Sequence, residues 1–426
     1  MNSSGLSQLG RRIEEPPISW LMRMTLEHPR LISLAAGFTD NQTLPTKKVL
    51  DSFDLLLNRA SRGREALQYG PTAGDKALRQ LTSRRLHALD TAFATADISS
   101  AYDHQRLLIS NGSQQLLYMV TEALCDPGDI VLVEDPTYFV FLGIAQSRGV
   151  RCRGVRLSDD GMDLKHLDHS LSRLKKEGLL SRVKILYLVT YFQNPTSITT
   201  SFATKTAALE ILGSYERSAG HPIYLLEDAA YRELLFSGED TPSAIASFSD
   251  RVIYTGTYSK PFASGARVGF GLLPPELFTI VQRIKGNHDF GTSNLLQQLM
   301  AQTIANGAYE RHLEKLRQRY ARKEAVMAKA LEAHFPNKVV WRRSRGGLYI
   351  WATAPRSLRT GPNSELFQAA LRKDVLYVPG QFCYAPDSTR KRPNHEMRLS
   401  FGGATLRNIP MGIDRLGQAI RKQMKR

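Results

Sequence analysis

A lysine held at the end of an apolar run is the first residue whose surroundings suggest chemistry. Thr257-Tyr258-Ser259-Lys260 follows the run Val252-Ile253-Tyr254, and Arg267 stands seven residues further on, inside Ser264-Gly265-Ala266-Arg267-Val268-Gly269. A lysine amine kept near a carbonyl and partly stripped of water is free to form an imine. The arginine offers a fork of donors suited to a phosphate, and the glycines beside it let backbone approach closely. Alone, such a pair is usually surface decoration. Four further segments keep it company. Leu226-Glu227-Asp228-Ala229-Ala230-Tyr231 closes another apolar run with a carboxylate, which by itself reads equally as a turn or cap residue. Gln193-Asn194-Pro195-Thr196 reads as a turn. Asn111-Gly112-Ser113-Gln114-Gln115 opens a helix, either as an ordinary N-cap or as an anion site built from free N–H groups and the helix dipole. Glu134-Asp135-Pro136-Thr137-Tyr138 sets an aromatic after a strand end, to stack or to pack. Each segment is a weak sign, and their order on successive strand ends is a strong one.

The elements that must position these residues are legible as a repeating theme between about 106 and 275. Short apolar runs at Leu107-Leu108-Ile109, Ile130–Val133, Ile185–Val189, Ile223–Leu226 and Val252–Tyr254 are near-continuous, as strands buried on both faces of a parallel sheet are. Helical stretches such as Ser113–Cys125 and Phe202–Ala219 lie between them, which predicts right-handed βαβ crossovers and an α/β fold. Beyond 295 the pattern changes. One long charged helix is expected over Leu295–His334, then strands at Val339–Trp341 and Gly347–Trp351. A helix at Ser364–Lys373, a strand at Val375–Val378 and a closing helix at Ile409–Met424 complete a smaller α+β part. The expected division is an N-terminal segment over 1–50 packing on the small domain and the active site, a large α/β domain over 51–295 and a small α+β domain over 296–426.

Composition narrows the classes. The chain has 426 residues, 42% hydrophobic and 23% charged, long enough for more than one core. No apolar run approaches the ~18 residues that span a membrane, and Met1–Pro17 lacks the apolar core of a secretory signal. Three scattered cysteines (Cys125, Cys152, Cys383) form neither a disulfide framework nor a metal pattern, so a reducing cytoplasm is expected. The net charge of +17 raises nucleic-acid binding, but the basic residues are dispersed, and a surface that attracts small anions fits better. No nucleic-acid, membrane or metal partner is expected.

Taken together, these segments resemble the class I/II aminotransferases of the fold-type I pyridoxal phosphate family, with the nearest likeness to the α-aminoadipate and kynurenine aminotransferase subgroup. The resemblance runs from about Ser33 to the C-terminus. It includes Leu67-Gln68-Tyr69-Gly70-Pro71-Thr72-Ala73-Gly74, Gly346-Gly347-Leu348-Tyr349-Ile350-Trp351, Val378-Pro379-Gly380 and Met397-Arg398-Leu399-Ser400-Phe401. It implies pyridoxal 5′-phosphate as cofactor, with Lys260 as Schiff-base lysine and proton shuttle. Asp228 would keep the pyridine nitrogen protonated, so that the ring drains electrons from Cα. Asn194 and Tyr231 would hydrogen-bond the ring's 3′-oxygen, and Tyr138 would stack on the ring. Ser113, Gln114, Thr257, Ser259 and Arg267 match the phosphate cup. Tyr69 matches a tyrosine that reaches the neighbouring subunit's phosphate, implying a homodimer with shared active sites. Arg398 would clamp the substrate's α-carboxylate bidentately, with Gly37 and Arg23 also on the substrate side.

The chain departs from the pattern near the substrate. The family's Ala-Gly-Gly-Leu-Pro segment reads Ala35-Ala36-Gly37-Phe38-Thr39-Asp40 here. Where the subgroup carries an arginine that reads the side chain, Ser19 stands, with Arg23 about one helical turn further on. Phe38, Trp20 and Met22 suit an apolar or aromatic side chain, or simply pack the N-terminal segment onto the core. The expected activity is ping-pong transfer of an amino group from an L-amino acid to a 2-oxo acid. Decarboxylation, elimination or oxidation on the same scaffold is the alternative, and Arg398 argues against it by holding the carboxylate in the ring plane. A transcription regulator built on this scaffold would carry an N-terminal winged-helix domain, and only about 32 residues precede the Ser33 segment.

Overall fold

The computed structural model describes residues 5–94, 97–387 and 390–425. Its strands, in chain order, begin with β1 (Ile32–Ser33), β2 (Leu107–Asn111), β3 (Ile130–Asp135), β4 (Arg151–Ser158) and β5 (Gly161–Met162). They continue with β6 (Val183–Val189), β7 (Tyr224–Asp228), β8 (Val252–Thr257) and β9 (Val268–Leu272). The C-terminal part holds β10 (Val340–Trp341), β11 (Tyr349–Thr353), β12 (Val375–Leu376), β13 (Val378–Pro379) and β14 (Glu396–Ser400).

An eight-stranded sheet runs in the order β2-β9-β8-β7-β6-β3-β4-β5. The pairs β4/β3, β3/β6, β6/β7 and β7/β8 are parallel, as near-continuous apolar runs require when helices cover both faces. β9 runs antiparallel between β2 and β8, and β5 runs antiparallel to β4. The sheet is therefore mostly parallel, within the mixed architecture expected. Because β3, β6, β7 and β8 share one direction, their carboxyl ends open onto one side, where ligands of open α/β sheets collect. A four-stranded antiparallel sheet, β10-β11-β14-β13, forms the C-terminal part.

The crossover helices start and stop where the sequence signals them. Ser201 caps the helix Phe202–Ala219 by accepting from Thr204 N–H, and Gly220 ends it at φ +81°. Three expectations need correction. The single helix over Leu295–His334 is two, Asn294–Ala305 and Ala308–His334, broken where Gly307 turns left-handed at φ +69°. The strand Val375–Val378 is split, so that β12 pairs in parallel with β1 while β13 joins β14. That split ties the N-terminal segment to the C-terminal part. Finally, β4 and β9 were not anticipated. β9 reads Val-Gly-Phe-Gly-Leu, and its glycines are steric necessities. A Cβ on Gly269 would stand 2.4 Å from both Gly112 C and Ser113 N, and one on Gly271 would stand 2.1 Å from Leu116 Cδ2.

Candidate active site

Lys260 sits in the loop that leaves β8, and its Nζ donates to the carbonyl of Gly37 at 2.7 Å. Among the described residues three lysines are fully buried, and each is paired with a carboxylate: Lys205 with Glu227, Lys285 with Asp289 and Lys323 with Asp40. Lys260 has no such partner among the described residues. Loss of water is the main cause that lowers its pKa; Tyr349 opposes the shift, while Arg398 and Arg267 add to it. The result is an amine whose neutral, nucleophilic form is more accessible than that of a free lysine.

Asp228 ends β7 and is fully buried. Its Oδ2 accepts from Tyr187 Oη at 2.9 Å and its Oδ1 from Ala230 N–H at 3.2 Å. Burial pushes the carboxyl up to about 6, with both donors pulling the other way. Nearby, Asn194 Nδ2 donates to Tyr231 Oη at 3.4 Å, and Tyr231 Oη lies 3.1 Å from Tyr349 Oη. Tyr138 is half-buried at the start of the helix Phe139–Arg148, with Asp228, Tyr349, Arg398 and Arg267 all acting on its hydroxyl.

A second cluster forms around the start of the helix Ser113–Leu124. Its N-cap is Gly112 at φ +74°, which has no side chain to cap the first N–H groups. Those donors stay free for an anion. Arg267, itself left-handed at φ +52°, donates to Ser259 Oγ at 3.3 Å and to Asn111 O at 3.4 Å. Thr257 Oγ1 receives Ser259 N–H at 3.0 Å, and Ser113 and Gln114 are the first residues of the helix. A Cβ on Gly112 would come within 2.4 Å of Arg267 Nη2. Gly112→Ala is therefore expected to displace Arg267 and weaken cofactor retention about tenfold, the effect of one lost hydrogen bond to a charged group. Equilibrium dialysis measures this, and unchanged retention would remove Gly112 from the cup.

Arg398, on β14, is 1% exposed. Its Nη1 donates to Asn194 Oδ1 at 2.7 Å and its Nη2 to Ala35 O at 2.6 Å, while buried Nε has no partner among the described residues. The guanidinium lies 4.2 Å from the centre of the Tyr349 ring, so an aromatic face fixes its plane. Gly37 leaves no spare room: a Cβ there would stand 2.8 Å from Tyr349 Oη and 3.8 Å from Lys260 Nζ.

Two expected residues stand apart from this group. Tyr69 is 84% exposed and packs edge-on against Phe290. Arg23 is bonded to Glu15 at 2.7 Å at the surface and is not brought to Lys260. Trp20 stacks on Phe367 at 5.8 Å, which is packing of the N-terminal segment. Tyr349 and Tyr187, by contrast, join the site without having been singled out. Tyr349 lies in the Gly346–Trp351 segment, which carries no local sign of this contact, and Tyr187 reads in the sequence as one more core residue of its strand.

The family model described as aminotransferase class I and II matches residues 29–416. The chain belongs to that family. The 2-aminoadipate transaminase of Thermus thermophilus is 30% identical to it over 96% of this chain and 95% of that protein. Aromatic-amino-acid aminotransferase 1 of Thermococcus litoralis is 31% identical over 94% and 90%. Among solved structures, the kynurenine aminotransferase of Pyrococcus horikoshii superposes with a TM-score of 0.88 at 29% identity, covering 99% of this chain and 98% of that one.

This aminotransferase is a fold-type I, pyridoxal 5′-phosphate-dependent transaminase. Its residues fit the cofactor on structural grounds. A lysine without a carboxylate partner, a buried acid with only two donors and an uncapped helix start beside Arg267 are the three complements a carbonyl, a basic ring nitrogen and a phosphate need.

Proposed function

We propose that Lys260 and Arg398 bind and transform the α-amino acid unit of the substrate on a floor made by Ala35–Gly37. The observation that carries this reading is that the amine of Lys260 and the fork of Arg398 reach carbonyls two residues apart on one strap, Gly37 O and Ala35 O. The bound cofactor supplies an electron sink for the pair left on Cα. Lys260 Nζ would be the group that accepts the Cα proton and delivers it again. Arg398 holds the α-carboxylate of amino acid and oxo acid alike, and so serves both half-reactions. Asp228 would keep the ring nitrogen protonated, Asn194 and Tyr231 would hold the ring oxygen, and Tyr138 would cover the ring. Ser113, Gln114, Thr257, Ser259 and Arg267 would hold the phosphate.

The remaining assignments rest on coarser support. Tyr69 and Phe290 are 84% and 55% exposed, a pair of apolar rings that a second copy would cover. That supports a homodimer in which Tyr69 reaches the partner's phosphate. Division into an N-terminal segment over 1–50, a large part over 51–295 and a small part over 296–426 draws support from the separate eight- and four-stranded sheets. A cytoplasmic location is supported by three cysteines that are all free; among the described residues no helix is long and apolar enough to cross a membrane.

The names of the relatives span aromatic amino acids, 2-aminoadipate and kynurenine. Here Arg23 is tied to Glu15, and Phe38, next to Gly37, is 37% exposed. Both features favour an aromatic or apolar side chain over an acidic one. Phenylalanine is expected to convert the cofactor to its amino form at least several-fold faster than 2-aminoadipate, with release of the matching oxo acid. A preference for 2-aminoadipate would refute the side-chain assignment. Release of ammonia, carbon dioxide or hydrogen peroxide without amino transfer would contradict the proton path through Lys260.

A further inference from the structure

Asp228 is held from the neighbouring strand. Register along β6 and β7 sets Tyr187 opposite Leu226 and Val189 opposite Asp228, so the Tyr187 side chain reaches along the sheet to the carboxylate. The tyrosine is fully buried, and its ring is stacked on Phe141 at 3.8 Å between centres and 12° between planes. The stack holds the ring in place, and its hydroxyl donates to Asp228 Oδ2 at 2.9 Å. The other donor at this carboxylate is Ala230 N–H, on Oδ1. The titratable groups around Asp228 are Tyr187 on β6, Glu134 on β3 and Tyr138 just beyond β3. Burial pushes Glu134 up to about 8, against the hydrogen bonds its Oε2 accepts from Val189 N–H and Gln193 Nε2.

We propose that Tyr187 is a positioning residue whose hydroxyl holds Asp228 ionised and aimed at the ring nitrogen, and so sets how fully that nitrogen is protonated. This rests on Asp228 being the ring nitrogen's partner. The two groups share one proton. A donor to the carboxylate makes it the weaker base and leaves the proton on nitrogen. Removing the donor strengthens the base and moves that proton onto Asp228, with no change in the total. The electron sink weakens while the carboxylate clamp at Arg398 is untouched.

Holoenzyme carrying cofactor labelled with ¹⁵N in the ring reads the protonation directly. Tyr187→Phe is expected to move the ring-nitrogen resonance toward its unprotonated position. It should also lower kcat about tenfold, the effect one lost hydrogen bond to a charged group supports, with KM for the amino acid changed less than about twofold. A ring-nitrogen resonance that stays put in Tyr187→Phe while moving in Asp228→Asn overturns the role of Tyr187 alone. A resonance that stays put in both variants overturns the assignment of Asp228 as well. If Tyr187→Phe does not fold, 3-fluorotyrosine placed at 187 keeps the shape. Its ¹⁹F resonance is expected to shift on Asp228→Asn and on cofactor loading, and a signal indifferent to both overturns the proposal.

Discussion

Lys260→Ala is expected to lower turnover roughly a thousand-fold or more, because one side chain performs two tasks. In the proposed reaction its amine would hold the cofactor's carbonyl carbon and would also move the proton from Cα. The structure explains why no neighbour can substitute. Among the described residues the fully buried amines are Lys205, Lys285 and Lys323, and they are locked to Glu227, Asp289 and Asp40. Lys323 also donates to Gly402 O at 2.6 Å, which anchors the far end of the Leu34–Asp40 strap rather than its floor. Amino acid binding should survive the change, since Arg398 keeps both its partners. Single-turnover mixing separates the two: a binding constant within a few-fold of wild type with the chemical step nearly lost is the expected pattern. A variant that loses binding and keeps the chemical rate would reverse the assigned roles.

Arg398→Ala is expected to raise KM for amino donor and oxo-acid acceptor together, by roughly 30-fold to several thousand-fold. That range corresponds to ~2–5 kcal/mol for removing one partner of a buried, hydrogen-bonded charge pair. Arg398→Lys should recover only a small part of the loss, because the ammonium cannot present two parallel donors, nor lie flat over the Tyr349 ring. The diagnostic feature is symmetry between the half-reactions, which share the α-carboxylate. A loss confined to the donor side would mean that Arg398 reads something other than that group. Asn194 complicates the choice of control. Its Oδ1 accepts from Arg398 while its Nδ2 donates to Tyr231, so Asn194→Ala would disturb both the clamp and the ring oxygen's donors.

Much of this arrangement was legible before any coordinates, and the reason is local. Strand ends carrying Asp228, Asn194 and Lys260 are flagged by apolar runs that stop at polar residues, and helix ends by Ser201 and Gly220. What was hidden depends on distant contacts. β9 lacks an apolar run because Gly269 and Gly271 must admit the helix that begins at Ser113. Tyr349 and Tyr187 act through partners more than a hundred and about forty residues away, and neither carries a local sign of its role. The break at Asn306-Gly307 interrupts an otherwise helical pattern by one left-handed residue. Arg23 looked available one helical turn from the expected place, and only the fold shows Glu15 beside it.

The lysine with which the chemistry began is open to direct chemical proof. Borohydride reduction fixes an imine-held cofactor permanently to the amine that carries it, and digestion followed by mass spectrometry then finds the modified peptide. The expected result is one phosphopyridoxyl group per chain on the peptide containing Lys260, absent from Lys260→Ala. The label on Lys205, Lys285, Lys323 or any other lysine, or a yellow holoenzyme that reduction leaves unlabelled, would contradict the assignment of Lys260.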